Sequence, residues 1–230
     1  MIFLPLNDTE TNRYSGPPII TLALITVNFL VMVLTTLVWG FFPVDLYTLY
    51  GSVPQYLINE QGGGALASIT ATFIHADFIH LAGNMLFLWV FGRRVEDACG
   101  PWRYLAFYLL AGLSADLLST LIRFEEEIPG IGASGAVAGL LGAYLILFPG
   151  GRIRTFLLLG FVPTFPRIRA FWFLIYWLVI QIIPAVLVTL RDTPYSVNYW
   201  AHLGGFLGGL AIIFFLRAEA FSRFLSSEPV

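Results

Sequence analysis

Apolar residues run in long stretches along most of the chain, and what interrupts them is turn-forming Gly and Pro or a cluster of Arg. A helix that crosses the hydrocarbon core of a bilayer needs about 20 mostly apolar residues, and its backbone polar groups must bond within the segment. Six such helices are predicted. The first covers Ile19 to Trp39 without a charge and opens after Gly16-Pro17-Pro18, which keeps the preceding residues out of the helix. The second runs from about Phe78 to Phe91 or a few residues beyond, with His80 and Asn84 near its start, and ends in Arg93-Arg94. The third begins at Pro101, a favourable first-turn residue, and reaches Ile122 with Asp116 inside it. The fourth, about Ile131 to Phe148, is closed by Pro149-Gly150-Gly151. The fifth covers Phe171 to Leu190 and contains Pro184, a candidate kink, and the sixth runs from about Tyr199 to Leu216. The expected fold is therefore an all-α membrane protein, with no internal repeat and no second domain.

Composition agrees. The 230 residues are 58% hydrophobic and only 11% charged, whereas about a quarter of a soluble domain is charged. A net charge of −2 and the absence of a basic run argue against a nucleic-acid partner, and the apolar content argues against disorder. The single cysteine, Cys99, excludes an intramolecular disulfide. All twelve basic residues are Arg, and they set the expected orientation, since cytoplasmic loops collect positive charge. Ten of the twelve fall in alternate segments, and only Arg123 and Arg191 lie on the other side. Both termini are thus expected in the cytoplasm, with residues 1–18 a short N-terminal segment, 19–218 the membrane domain and 219–230 a short tail. The first span is longer than a cleaved signal's apolar region and fits a retained signal anchor. Residues 40–77 form a long outer loop with no basic residue, and Phe41, Phe42, Tyr47, Tyr50 and Tyr56 suit it to the membrane interface. The short ends and lack of an appended domain point to a prokaryotic plasma membrane.

Polar groups inside a bilayer are costly, so each is a functional candidate, set against the plainer reading that it joins helices. With this topology the second, fourth and sixth helices all begin on the outer side. They bring His80 and Asn84, Ser134 and His202 to one level of the membrane. Ser134 lies in Gly132-Ala133-Ser134-Gly135, which in isolation reads as helix packing, and His202 alone reads as a structural hydrogen-bonder. In combination they read differently. The small-xxx-small spacing at Gly204/Gly208 and Gly205/Gly209 lets backbones approach closely enough for a Ser hydroxyl and an imidazole to meet. Ser134 sits near a helix N-terminus, where free N–H groups favour an anion, and His80 and Asn84 share a helical face that could add donors. His75 is expected to shape the loop above the site. A metal bound by His75, Asp77 and His80 is disfavoured by the absence of a ligand motif, and an aspartyl mechanism by Asp116's being the only spanning acid. Asp116 is instead expected to pair with Arg123.

These residues resemble the rhomboid family of intramembrane serine proteases. The resemblance covers nearly the whole chain: six spans, a long outer loop after the first, His75-x4-His80-x3-Asn84 at the second, Gly132-x-Ser134-Gly135 in the fourth and Ala201-His202-x2-Gly205-x3-Gly209 in the sixth. It implies a six-helix rhomboid-like bundle in which Ser134 is the nucleophile and His202 the general base, with His80, Asn84 and the Ser134 backbone N–H forming the oxyanion hole. It implies no cofactor, and as substrates single-pass membrane proteins that approach from the lipid past span five. The loop Arg191 to Asn198 would cap the site. There are two departures. No Trp-Arg pair occurs between Gly40 and His75, and Ala138 stands where some relatives carry a Tyr that stacks on the base, so the resemblance does not say what holds the imidazole. A non-catalytic relative that escorts transmembrane helices, and a small-solute transporter, are the competing classes. The first generally lacks the serine or the histidine, and the second shows inverted repeats and broken helices.

Overall fold

A computed structural model describes residues 3–10, 16–41, 45–59, 61, 63–191 and 197–225. The chain is mostly helical. A long helix, α1 (Ile19–Phe41), is followed by three short ones, α2 (Leu46–Tyr50), α3 (Pro54–Ile58) and α4 (Ala65–Ala71). Residues 78–99 are helical throughout, divided into α5 (Phe78–Phe87), a π-helical turn (Leu88–Gly92) and α6 (Arg93–Cys99). Then come α7 (Pro101–Ile122), α8 (Ser134–Leu147), α9 (Ala170–Arg191) and α10 (Tyr199–Leu225). Among the described residues, four helices are long and apolar enough to cross a membrane: α1 over Ile19–Leu37, α7, α9, and α10 over Tyr199–Leu216. The protein is a multi-pass membrane protein.

Two expectations about the elements are corrected. The second helix does not end at Arg93-Arg94, because buried acids compensate the charge there. Asp8, with a fully buried side chain, bonds Arg93 at 2.7 Å and Arg94 at 2.6 Å. Glu96, buried one turn on, accepts the first N–H groups of α1 from Ile20 and Thr21, both at 2.8 Å. A carboxylate from another helix thus caps the start of α1, where unpaired N–H groups and the helix dipole favour a negative charge.

Nor is the fold purely α-helical. A four-stranded antiparallel sheet is built on β2 (Arg152–Leu159), which pairs with β1 (Phe3–Asp8), β3 (Val162–Thr164) and β4 (Arg167–Arg169). In β2, Arg152 and Arg154 are exposed while Ile153 and Thr155 are buried, an alternation of period two. Hydropathy arithmetic tuned to 20-residue spans passes over such short strands. The sheet also reaches the membrane helices, since Phe3 stacks on Phe173 of α9 with ring centroids 4.5 Å apart.

The site is positioned by the packing of α8 between α7 and α10. Glycine makes this possible at contacts no other residue allows. A Cβ on Gly205 would overlap the Gly135 carbonyl, one on Gly209 would overlap the Gly139 carbonyl, and one on Gly204 would lie 2.8 Å from the Ser114 carbonyl. Across the last contact Ser114 Oγ donates to the Gly204 carbonyl at 3.1 Å. Without a hydrophobic drive between helices in lipid, close backbone packing and such interhelical bonds supply the adhesion.

Candidate active site

Asp77 starts α5 by accepting the His80 backbone N–H at 2.8 Å, and this cap fixes the helical phase. His80 and Asn84, one turn apart, consequently lie on one face. That face meets Gly132. A Cβ there would sit 2.7 Å from His80 Cε1 and Nε2 and 3.5 Å from Asn84 Nδ2. Gly132 also has φ = +107°, in a region side chains disfavour, and its N–H is held by the Ala71 carbonyl at 2.8 Å. Only glycine satisfies both constraints.

His75 lies beneath this face, 2% exposed. The Asn84 amide donates to His75 Nε2 at 2.9 Å, and the His75 and His80 rings stand edge to face with centroids 5.0 Å apart. An amide N–H can only donate, so Nε2 must carry a lone pair and His75 is neutral. Burial, with the neighbouring His80 adding to it, pushes the His75 imidazole down to about 4 from 6.5. His75 therefore orients Asn84 rather than merely shaping a loop. Of the three residues considered for a metal, Asp77 caps a helix and His75 bonds Asn84.

Ser134 opens α8 two residues after Gly132. The first N–H groups of a helix lack intrahelical acceptors and form its positive end. On the facing helix, the Ala201 carbonyl lies 3.7 Å from where a Gly135 Cβ would be, so the starts of α8 and α10 are side by side. His202 follows Ala201 and is partly buried. Its Nδ1 lies 2.7 Å from Gln181 Oε1 on α9, and the Trp177 and Tyr199 rings flank it with centroids at 6.0 and 6.5 Å. Among the described residues, no hydrogen bond joins Ser134 Oγ to His202. Since Nδ1 is occupied, Nε2 is the nitrogen left to face a partner.

Beside Ser134 is a cavity of about 40 Å³ with Ser68, Thr72, Asp116, Asn198 and Ala201 among its lining residues, polar enough and large enough to hold water. Asp116 accepts the Ser68 hydroxyl at 2.5 Å, while Arg123 is bound to Glu126 at 2.8 Å. This differs from the expected Asp116–Arg123 pairing. Three residues beyond the arginine, Glu126 offers it a carboxylate, and α4 offers a hydroxyl to Asp116. Asn198 caps α10 by accepting the Ala201 N–H at 3.1 Å and donates to Ser119 at 2.8 Å. Gln181, Trp177 and Asn198 are the site neighbours that sequence reasoning passed over. For Gln181 a signal was present, as it is the one amide in an otherwise apolar helix. The loop expected to cap the site lies largely outside the described residues, at 192–196.

The polar groups of this multi-pass helical membrane protein thus converge where two glycine-faced helices begin. The rhomboid domain family model matches residues 63–219, and the chain belongs to the rhomboid family. It is 30% identical over 159 residues to Rhomboid-like protein 11, chloroplastic, of Arabidopsis thaliana, covering 64% of this chain and 51% of that one. It is 32% identical over 149 residues to Rhomboid protein 1, mitochondrial, of Saccharomyces cerevisiae, covering 63% of this chain and 40% of that one. It is 32% identical over 131 residues to Rhomboid protease GluP of Bacillus subtilis, covering 57% of this chain and 25% of that one. The chain spans about half or less of the length of the curated relatives it matches. Relatives named for the chloroplast and mitochondrion give no support to the expected prokaryotic plasma membrane.

Proposed function

We propose that this protein is an intramembrane serine endopeptidase that cleaves transmembrane segments of other membrane proteins near their outer ends. The observation that carries this reading is the glycine-mediated contact of α8 with α10, which sets the starts of the Ser134 and His202 helices side by side, with Gly132, two residues before Ser134, against His80 and Asn84. In the proposed reaction Ser134 Oγ attacks the scissile carbonyl as His202 Nε2 takes its proton, and the imidazolium then gives that proton to the leaving amine. The tetrahedral oxyanion is held by the Ser134 N–H at the helix start together with His80 and the Asn84 amide, whose second N–H is not needed by His75. Water from the polar cavity releases the acyl-enzyme.

The same reading counts six spans. To the four long apolar helices it adds residues 78–99, whose arginines are neutralised at one end, and α8. At 14 residues α8 rises only about 21 Å, short of the roughly 30 Å hydrocarbon thickness. A short helix of this kind leaves room for Ser134 to lie below the membrane surface with water above it. Substrates would approach between α9 and the bundle, since α9 presents Trp172, Val179, Ile183 and Val186 outward and packs inward by a narrow stripe.

Cleavage of a single-pass transmembrane substrate in liposomes tests the reading. Ser134→Ala and His202→Ala are each expected to lower the rate by more than about 10³-fold. Full activity in either variant contradicts it.

A further inference from the structure

We infer that Gln181 is the positioning residue of the general base: its side-chain carbonyl holds the proton of His202 on Nδ1 and so presents Nε2 to Ser134. This rests on the serine-protease reading above and supplies what the dyad lacks, a group that orients the imidazole.

Three observations converge on Gln181. The first is its cost: a primary amide in a helix that is otherwise almost entirely apolar has to find partners within the protein. It lies on the narrow inward stripe of α9 formed by Phe173, Leu174, Trp177, Gln181 and Ala185, and is 7% exposed. The second is the contact itself. Gln181 Oε1 and His202 Nδ1 are 2.7 Å apart, and a carbonyl oxygen only accepts, so the ring nitrogen must donate. That single bond selects the tautomer with a lone pair on Nε2, the form a general base requires. The third is the ring packing. Trp177, one turn before Gln181 on the same face, lies against His202 and stacks on Phe206, with centroids 6.0 and 6.1 Å apart. The imidazole is therefore fixed in rotation by an amide and in tilt by an indole, both from α9, while position 138 holds a buried alanine that can do neither.

An acid placed at 181 would also accept from Nδ1, but it would put a full charge on a helix exposed to lipid. The amide gives the direction of the bond without that cost.

The test compares wild type with Gln181→Met, which keeps the shape and removes the acceptor, and with Gln181→Glu, which keeps an acceptor. Each is reconstituted in liposomes with a transmembrane substrate. Loss of one hydrogen bond predicts a kcat about tenfold lower in Gln181→Met with KM within about twofold, and substantial recovery in Gln181→Glu. A structural role would instead lower the folded fraction and leave the kcat of the folded enzyme unchanged. Nitrogen-15 NMR of the His202 ring gives a readout that does not need cleavage. Wild type is expected to show protonated Nδ1 and unprotonated Nε2, with Gln181→Met showing a mixture. A wild-type kcat in Gln181→Met overturns the positioning role. The same tautomer in both proteins overturns the hydrogen bond. If wild type cleaves nothing, while its NMR shows the expected tautomer and its loss in Gln181→Met, the endopeptidase reading fails and the hydrogen bond stands.

Discussion

Asn84 shows how one side chain depends on the protonation of another. Its amide donates to His75, which can accept only while neutral. Because burial lowers the His75 pKa from 6.5 to about 4, the folded protein binds this proton less readily than the unfolded chain. Its contribution to stability is complete above about pH 6.5 and is lost as pH falls from there toward 4. Thermal melting of wild type and His75→Leu in detergent checks this: over that window the wild-type midpoint is expected to fall more steeply than that of the variant. Asn84→Ala is expected to lower kcat by about 10²-fold by removing an oxyanion donor, with little change in KM, as read from steady-state cleavage. The motif His75-x4-His80-x3-Asn84 was legible in the sequence, but the division of labour within it was not. Spacing along a helix reveals which residues share a face. It does not reveal that His75 reaches Asn84 from outside the helix.

Glycine governs the helices more than any apolar residue does. At Gly205 a side chain meets the Gly135 carbonyl, which cannot move aside, whereas at Gly83 nothing lies within 4 Å. Gly205→Val should therefore destabilise the protein by about 1–3 kcal/mol or more. Gly83→Ala should be neutral or stabilising by up to about 1 kcal/mol, through helix propensity. Melting temperatures of the two variants in one detergent separate these outcomes. The small-residue spacing on α10 announced such packing from sequence, and the long helices matched their apolar stretches closely. What escaped was polar matter at their ends: helix continuing through Arg93 and Arg94, Glu96 capping α1 and the strand Phe3–Asp8. Each depends on partners 75 or more residues away, and local patterning carries no trace of them.

The molecule as a whole joins a glycine-packed helical core to an arginine-bearing sheet, with Asp8 one of the links between them. Its carboxylate binds Arg93 and Arg94 and accepts the Tyr144 hydroxyl at 3.3 Å. Asp8→Ala is expected to cost a few kcal/mol, because both guanidinium groups lose this buried carboxylate, and a lowered unfolding midpoint in detergent would record it. The position of the candidate site was legible in the sequence because polar residues are so few in the apolar stretches. The orientation of its base was not, since Gln181 and His202 belong to different helices and only packing joins them.

We propose that Ser134 is a nucleophile activated by His202, and intact-protein mass spectrometry after exposure to a fluorophosphonate in detergent tests this. The expected result is a single adduct on Ser134 in wild type, absent from Ser134→Ala and strongly slowed in His202→Ala. An unmodified wild-type protein, or an adduct that forms equally fast without His202, would contradict the claim.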